Sequence, residues 1–142
     1  SGHVQVHQRN HIVIAGGAEQ LDWVLALGFN AIRALSRRYN DTPEIASRPF
    51  DRDRDGFVIA GGAGYVVLES ERSVRRRGAR PIVEVSGAYS NSNATDMVVP
   101  DAPSCIEVMR GSVADAGLKI EDIAYVNTHG TATPVGDPVE PA

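Results

Sequence analysis

A chain of 142 residues, 42% hydrophobic and 23% charged, is long enough for one domain with its own core and too apolar to be a disordered segment. A net charge of −4 gives no general attraction to nucleic acid or an anionic membrane, and no apolar run reaches spanning length, so neither partner is expected. The single cysteine, Cys105, excludes an internal disulfide and fits a reducing compartment, which predicts a cytoplasmic protein.

In chain order, "HIVIAGGAE" (11–19) is a short apolar run ending in glycine, the pattern of a buried strand. Leu21, Val24, Leu25, Gly28, Phe29, Ile32 and Leu35 then recur at steps of three and four, which predicts an amphipathic helix. Residues 39–56 form a long loop with two prolines, and long loops of this kind are often functional. "GYVVLES" (64–70) reads as a strand and "ERSVRRRG" as a short helix closed by Gly78. The arginines of 71–80 fit a solvated helix end; the alternative is a docking patch for an acidic partner.

"PIVEVSGAYS" (81–90) alternates as a strand should. Asp101 is suited to cap a helix with the apolar stripe Ile106, Met109, Val113 and Ala116, and Gly117 to stop it. "IEDIAYVNT" (120–128) leads into a further strand, followed by the loop "HGTATPVGDP". Strands alternating with helices predict an α/β fold with a layered sheet, divided near Gly78–Pro81.

Two segments carry chemical signals. Asp51, Asp53, Asp55 and Gly56 begin as a calcium-binding EF-hand loop begins, but its twelfth position, where a bidentate glutamate belongs, is Gly62. No metal is therefore expected, and the aspartates should instead pair with arginines and cap turns. In "VNTHGTATPVGDP" (126–138), His129 leaves a strand end, where α/β proteins place active sites. Gly130 permits close approach of a ligand, and Thr131 and Thr133 can turn both hydroxyls to one side. A histidine here can stabilise an oxyanion or move a proton; capping or a plain surface role is the alternative.

"NTHGTATPVGD" resembles the histidine motif of the β-ketoacyl-acyl carrier protein synthases, and "IVIAGGAEQ", "FNAIRALSRRYNDTPEIASRPFDRDRDGFVIAGGAG" and "TDMVVP" resemble further segments of the synthase I branch, in the family's order. "GDPVE" is also similar to the ketosynthase domains of polyketide synthases. The resemblance implies a thiolase-like α/β fold of two similar halves, residues 1–78 ending the first and 79–142 beginning the second. It implies a decarboxylative Claisen condensation of acyl and malonyl thioesters in fatty acid elongation, with acyl carrier protein as partner. A homo-oligomer is expected on a separate ground, since half a thiolase-like sheet leaves a long edge and apolar helix faces exposed. No separate cofactor is implied, because phosphopantetheine arrives on the carrier.

Carried over residue by residue, the resemblance makes His129 catalytic, as the first of the family's two histidines. It sets Thr131 and Thr133 on the phosphopantetheine arm and Phe29 and Phe57 along the acyl pocket. Asp137 fixes the loop, and Glu140 supports a lysine near the site. The family's cysteine nucleophile corresponds to a place ahead of "HIVIAGG", and its second histidine and lysine to places beyond "GDPVE"; Cys105 lies on another helix and is not that nucleophile. These 142 residues are therefore expected to be a middle segment, catalytically incomplete alone. The competing expectation is a non-catalytic module that binds an acyl chain, a carrier protein or its own copy.

Overall fold

A computed structural model of the chain describes residues 12–96 and 99–140. His11, the expected first residue of the first strand, and Met97 and Val98 of the "TDMVVP" segment lie outside that range. Strands β1 (Ile12–Glu19) and β2 (Gly62–Glu69) pair antiparallel, with Ile12 opposite Glu69 and Glu19 opposite Gly62. Helix α1 (Trp23–Ala31) follows β1, α2 (Glu71–Arg77) follows β2, and α3 (Ala102–Asp115) lies in the second half. Gly16 is required in this ribbon: a Cβ there would run into the Tyr65 ring of the opposite strand.

The helices begin where their capping residues stand. Asp22 accepts a hydrogen bond from the Val24 amide at 2.7 Å, and Asp101 accepts from the Ser104 amide at 3.0 Å. Each satisfies an amide that has no partner within its helix. Gly78 closes α2 in the left-handed conformation with φ 65°, which glycine adopts without steric strain. Beyond α1 the left-handed turn falls on Arg33, φ 59°, and ends the helix before Leu35. The predicted stripe therefore overruns. Leu35 pairs in a parallel bridge with Phe57 rather than completing a helical turn.

Two predicted strands are absent among the described residues. Residues 81–90 make no ladder; the segment lies against α3. Ala88 N donates to the Asp115 carboxylate at 2.9 Å and Tyr89 OH to Glu107 at 3.0 Å, while a Cβ on Gly111 would meet the Tyr89 ring at 2.5 Å. Residues 120–128 open with a short 3-10 turn, Ile120–Asp122, and continue unpaired. Alternation prepares a segment for a sheet, but the strand forms only when a neighbour takes its amides and carbonyls.

Apolar faces stay open to a corresponding degree. Ile14, Trp23, Ile82 and Tyr125 are all largely exposed, whereas among the described residues Ala46 and Ala132 are the buried apolar ones. The largest fully buried side chain among the described residues is a carboxylate, Asp137, at 2% exposure. Among the described residues, close polar packing thus lies around one pair of loops and at Ser73 of α2, which is 3% exposed.

The corner between β2 and α2 yields a pH prediction. Hydrogen bonds from Arg77 and Ser73 to Glu69 outweigh desolvation and hold its carboxyl down to about 2, against 4.5 ordinarily. A depressed folded-state value means that this stabilisation is present above the unfolded value and is lost as pH falls toward the folded one. In urea titrations, the difference between the wild-type chain and Glu69→Gln should shrink as pH drops from 4.5 to about 2. A constant difference across that window would show that Glu69 does not act through its charge.

Candidate active site

His129 follows the unpaired segment 123–128, and two left-handed residues then turn the chain: Gly130 at φ 49° and Ala132 at φ 67°. They flank Thr131 and bring its Oγ1 to 3.3 Å from Oγ1 of Thr133. The two hydroxyls meet because the backbone reverses, not because they alternate along a strand. Thr133 Oγ1 also accepts the Gly136 amide at 3.1 Å, and a Cβ on Gly136 would approach that oxygen to 2.5 Å. His129 is exposed, and its imidazole has no hydrogen bond or ion pair among the described residues.

Asp137 holds this loop against the loop at 48–56. Its Oδ1 accepts the Ala132 amide at 3.0 Å, and its Oδ2 accepts the Phe50 amide at 2.7 Å. Phe50, at φ 61°, is itself left-handed without being glycine. A residue with a Cβ gives up roughly 1–2 kcal/mol in that conformation. A hydrogen bond to a charged group contributes about 1.5–3 kcal/mol, so one carboxylate offsets the strain at both positions. Arg54 Nε lies 3.5 Å from Asp137 Oδ2, the Arg54 side chain being 17% exposed. A buried charge of this kind requires such a partner.

Glu140 turns back onto the histidine loop, its Oε2 accepting the Gly130 amide at 2.9 Å. The residue after His129 is thus fixed from one side and the residue after Thr131 from the other. The loops are also joined through the main chain, since Gly56 N donates to Ala132 O at 3.1 Å. Gly56, with φ 143°, admits no larger residue, because a Cβ would strike the backbone of Ala34, Leu35 and Ser36.

Phe57 follows immediately and is held by its bridge to Leu35, with Ser36 N donating to Phe57 O at 2.9 Å and Phe57 N to Ala34 O at 3.0 Å. Its ring packs edge-on against Phe29 of α1, with centroids 5.0 Å apart and an interplanar angle of 86°. This is a favourable arrangement of two ring quadrupoles. The structure therefore brings Phe29 and Phe57 together, and Gly56 links that pair through Ala132 to the threonines.

The alternating aspartates serve separate places. Asp51 accepts the Asp53 amide at 2.7 Å and pairs with Arg48 at 3.6 Å; Asp53 pairs with the neighbouring Arg52 at 3.4 Å. Asp55 accepts Ser36 Oγ at 2.6 Å and the Arg37 and Arg38 amides at 2.8 and 2.9 Å. Desolvation pushes the Asp55 carboxyl upward, but these bonds and the Arg38 charge prevail and hold it below its ordinary value. Their roles as turn caps and arginine partners match the sequence expectation.

Arg54, Asp55 and Phe50 were not among the predicted site residues. For Asp55 the signal was the "RDG" step before Phe57. For Arg54 and Phe50, no pattern along the chain shows that Asp137, 87 residues from Phe50, will meet them.

The family model "Beta-ketoacyl synthase, N-terminal domain" matches residues 5–73, and "Beta-ketoacyl synthase, C-terminal domain" matches residues 82–142. The chain belongs to the β-ketoacyl synthase family. It is 46% identical to 3-oxoacyl-[acyl-carrier-protein] synthase 1 of Escherichia coli K12 over 129 residues, 91% of this chain and 31% of that protein. It is also 46% identical to synthase 2 of Vibrio cholerae over 131 residues, 90% of this chain and 31% of that one.

A solved β-ketoacyl synthase from Burkholderia phymatum superposes with a TM-score of 0.90 at 39% identity, over 94% of this chain and 32% of that structure. A type II PKS ketosynthase, in complex with its acyl-carrier protein, superposes at 0.88 with 33% identity, over 94% of this chain and 33% of the other. The fold is accordingly a thiolase-like α/β arrangement, with the chain spanning about a third of its relatives' length.

Proposed function

We propose that this chain supplies the decarboxylating part of a β-ketoacyl-acyl carrier protein synthase site acting in fatty acid elongation. The observation that carries the reading is the threonine hydroxyl pair, 3.3 Å apart, on the same reversing loop as an exposed histidine. A phosphopantetheine arm is polar and flexible, and two hydroxyls at that spacing can hydrogen-bond it and fix the thioester it carries. Malonyl thioester then loses carbon dioxide, and the electron pair of the broken C–C bond moves into the thioester carbonyl. His129 donates a hydrogen bond to that oxygen as its charge grows. The enolate carbon attacks an acyl thioester held on a cysteine of the complete site and expels the thiolate. Phe29 and Phe57 form an apolar wall for the acyl chain.

Asp137 and Glu140 have fixing roles, Glu140 through the Gly130 amide and, in a complete site, through a lysine. Acyl carrier protein is the partner, acyl and malonyl thioesters are the substrates, and the setting is the cytoplasm. Among the described residues no helix is long and apolar enough to cross a membrane. The division into residues 1–78 and 79–142 is supported by the closure of α2 at Gly78 and by the two family models meeting between residues 73 and 82. The fatty acid branch is favoured over the polyketide branch by 46% against 33% identity.

The reading is tested in a chimera in which this chain replaces the aligned 129 residues of the E. coli synthase. It should form β-ketoacyl product from acyl- and malonyl-carrier protein. A folded chimera that acylates its cysteine but never decarboxylates malonyl thioester would refute it.

The same reading includes a homo-oligomer, supported by the exposed apolar residues of β1, β2 and α1. Sedimentation of the 142-residue chain should show concentration-dependent association. A monodisperse monomer at high micromolar concentration would remove that part of the proposal.

A further inference from the structure

Every nitrogen of the Arg54 guanidinium is engaged, two on the facing loop and one on its own. Nε donates to Thr133 O at 3.2 Å, Nη2 donates to Pro134 O at 3.2 Å, and Nη1 donates to Asp51 O at 2.9 Å. Its Nε also faces Asp137 Oδ2 at 3.5 Å. Thr133 is thus held by its own carbonyl, immediately beside the hydroxyl that meets Thr131. Asp137, the other contact of Arg54, accepts the amide of Ala132, between the two threonines. We propose that Arg54 is a positioning residue for the carrier-arm subsite, setting the Thr131–Thr133 hydroxyl pair through the Thr133 and Pro134 carbonyls and through Asp137. The proposal rests on the reading of that pair as the phosphopantetheine contact.

The geometry separates this role from a plain ion pair. A planar guanidinium can address two carbonyls and a carboxylate at fixed angles, whereas a lysine ammonium is a single flexible point charge. Arg54→Lys keeps the positive charge beside buried Asp137 but cannot span Thr133 O, Pro134 O and Asp51 O together. The charge supports the fold, and the shape sets the threonines.

The test uses the chimera with the E. coli synthase, comparing Arg54→Lys and Arg54→Gln with the parent. Arg54→Lys should leave the denaturation midpoint close to the parent's and raise KM for malonyl-carrier protein about tenfold, the effect of roughly 1.4 kcal/mol of lost thioester binding. Its kcat should fall much less than its KM rises, and the rate of cysteine acylation by an acyl thioester lacking the carrier arm should be unchanged. Arg54→Gln should show the same KM effect together with a lower midpoint. A folded Arg54→Lys enzyme with parental KM overturns the proposal, and so does loss of folding in both variants, which would make Arg54 structural only. His129→Ala in the same chimera keeps the two readings apart. If that change spares decarboxylation, the proposed function fails; if it abolishes decarboxylation while Arg54→Lys is silent, only the positioning role fails.

Discussion

Replacing His129 with alanine in the chimeric synthase should lower malonyl decarboxylation by about a hundred- to thousandfold while leaving the fold intact. The side chain is exposed and without a protein partner among the described residues, so its removal breaks no packing and strands no buried group. The turn that follows it does not depend on the imidazole, since Gly130 is held by Glu140 at 2.9 Å and Ala132 by Asp137 at 3.0 Å. The hydrogen bond proposed for the histidine strengthens only as charge develops on the thioester oxygen, so it acts mainly on the transition state. Loss of one such donor is worth about 2.7–4 kcal/mol. The measurements are the thermal midpoint, the rate of cysteine acylation and the release of carbon dioxide from malonyl-carrier protein. The first two should hardly change and the third should fall steeply. A mutant that unfolds, yet decarboxylates normally in its folded fraction, would make His129 a structural residue.

Asp137→Ala should have the largest effect on stability, roughly 3–5 kcal/mol by the usual consequence of removing one partner of a buried ion pair. The loss has three parts at one place. Arg54 would remain largely covered with its carboxylate gone, and the amides of Phe50 and Ala132 would lose their acceptor. Both residues would also remain in the left-handed region, with φ 61° and 67°, without the bonds that hold them there. Asp137→Asn separates the contributions, because an amide oxygen can still accept one of the two backbone amides while the charge is lost. Urea denaturation should therefore rank the parent above Asp137→Asn, and Asp137→Asn above Asp137→Ala. Equal midpoints for all three would mean that the loops are held by something other than this carboxylate.

What could be seen along the chain was what is local. The cap at Asp101, the glycine stop of α2 and the span of the ribbon strands follow from neighbouring residues and stand where the sequence put them, but β1, expected as a buried strand, is largely exposed because no layer covers its face. The two strands expected over 81–90 and 120–128 fail for the opposite reason. Their alternation is real, but pairing is a property of two segments, and in this structure the first of them gives its amide at Ala88 to a helix side chain. Leu35 was assigned to a helix by its spacing and left it because a left-handed Arg33 intervenes, a conformation that spacing does not encode.

The candidate site divides in the same way. The sequence by itself determined its chemistry: a histidine followed by glycine, two hydroxyls one residue apart, and a family likeness strong enough to order the segments. It also determined that Asp137 and Glu140 belong to that loop. Only the tertiary structure decided what holds the loop in shape. The carboxylate of Asp137 reaches back 87 residues to the Phe50 amide, and Arg54 reaches forward 79 residues to Thr133 O. A buried charge must find a partner and a strained amide must find an acceptor, but neither requirement fixes where in the chain the partner lies. That is decided when the two loops are brought together.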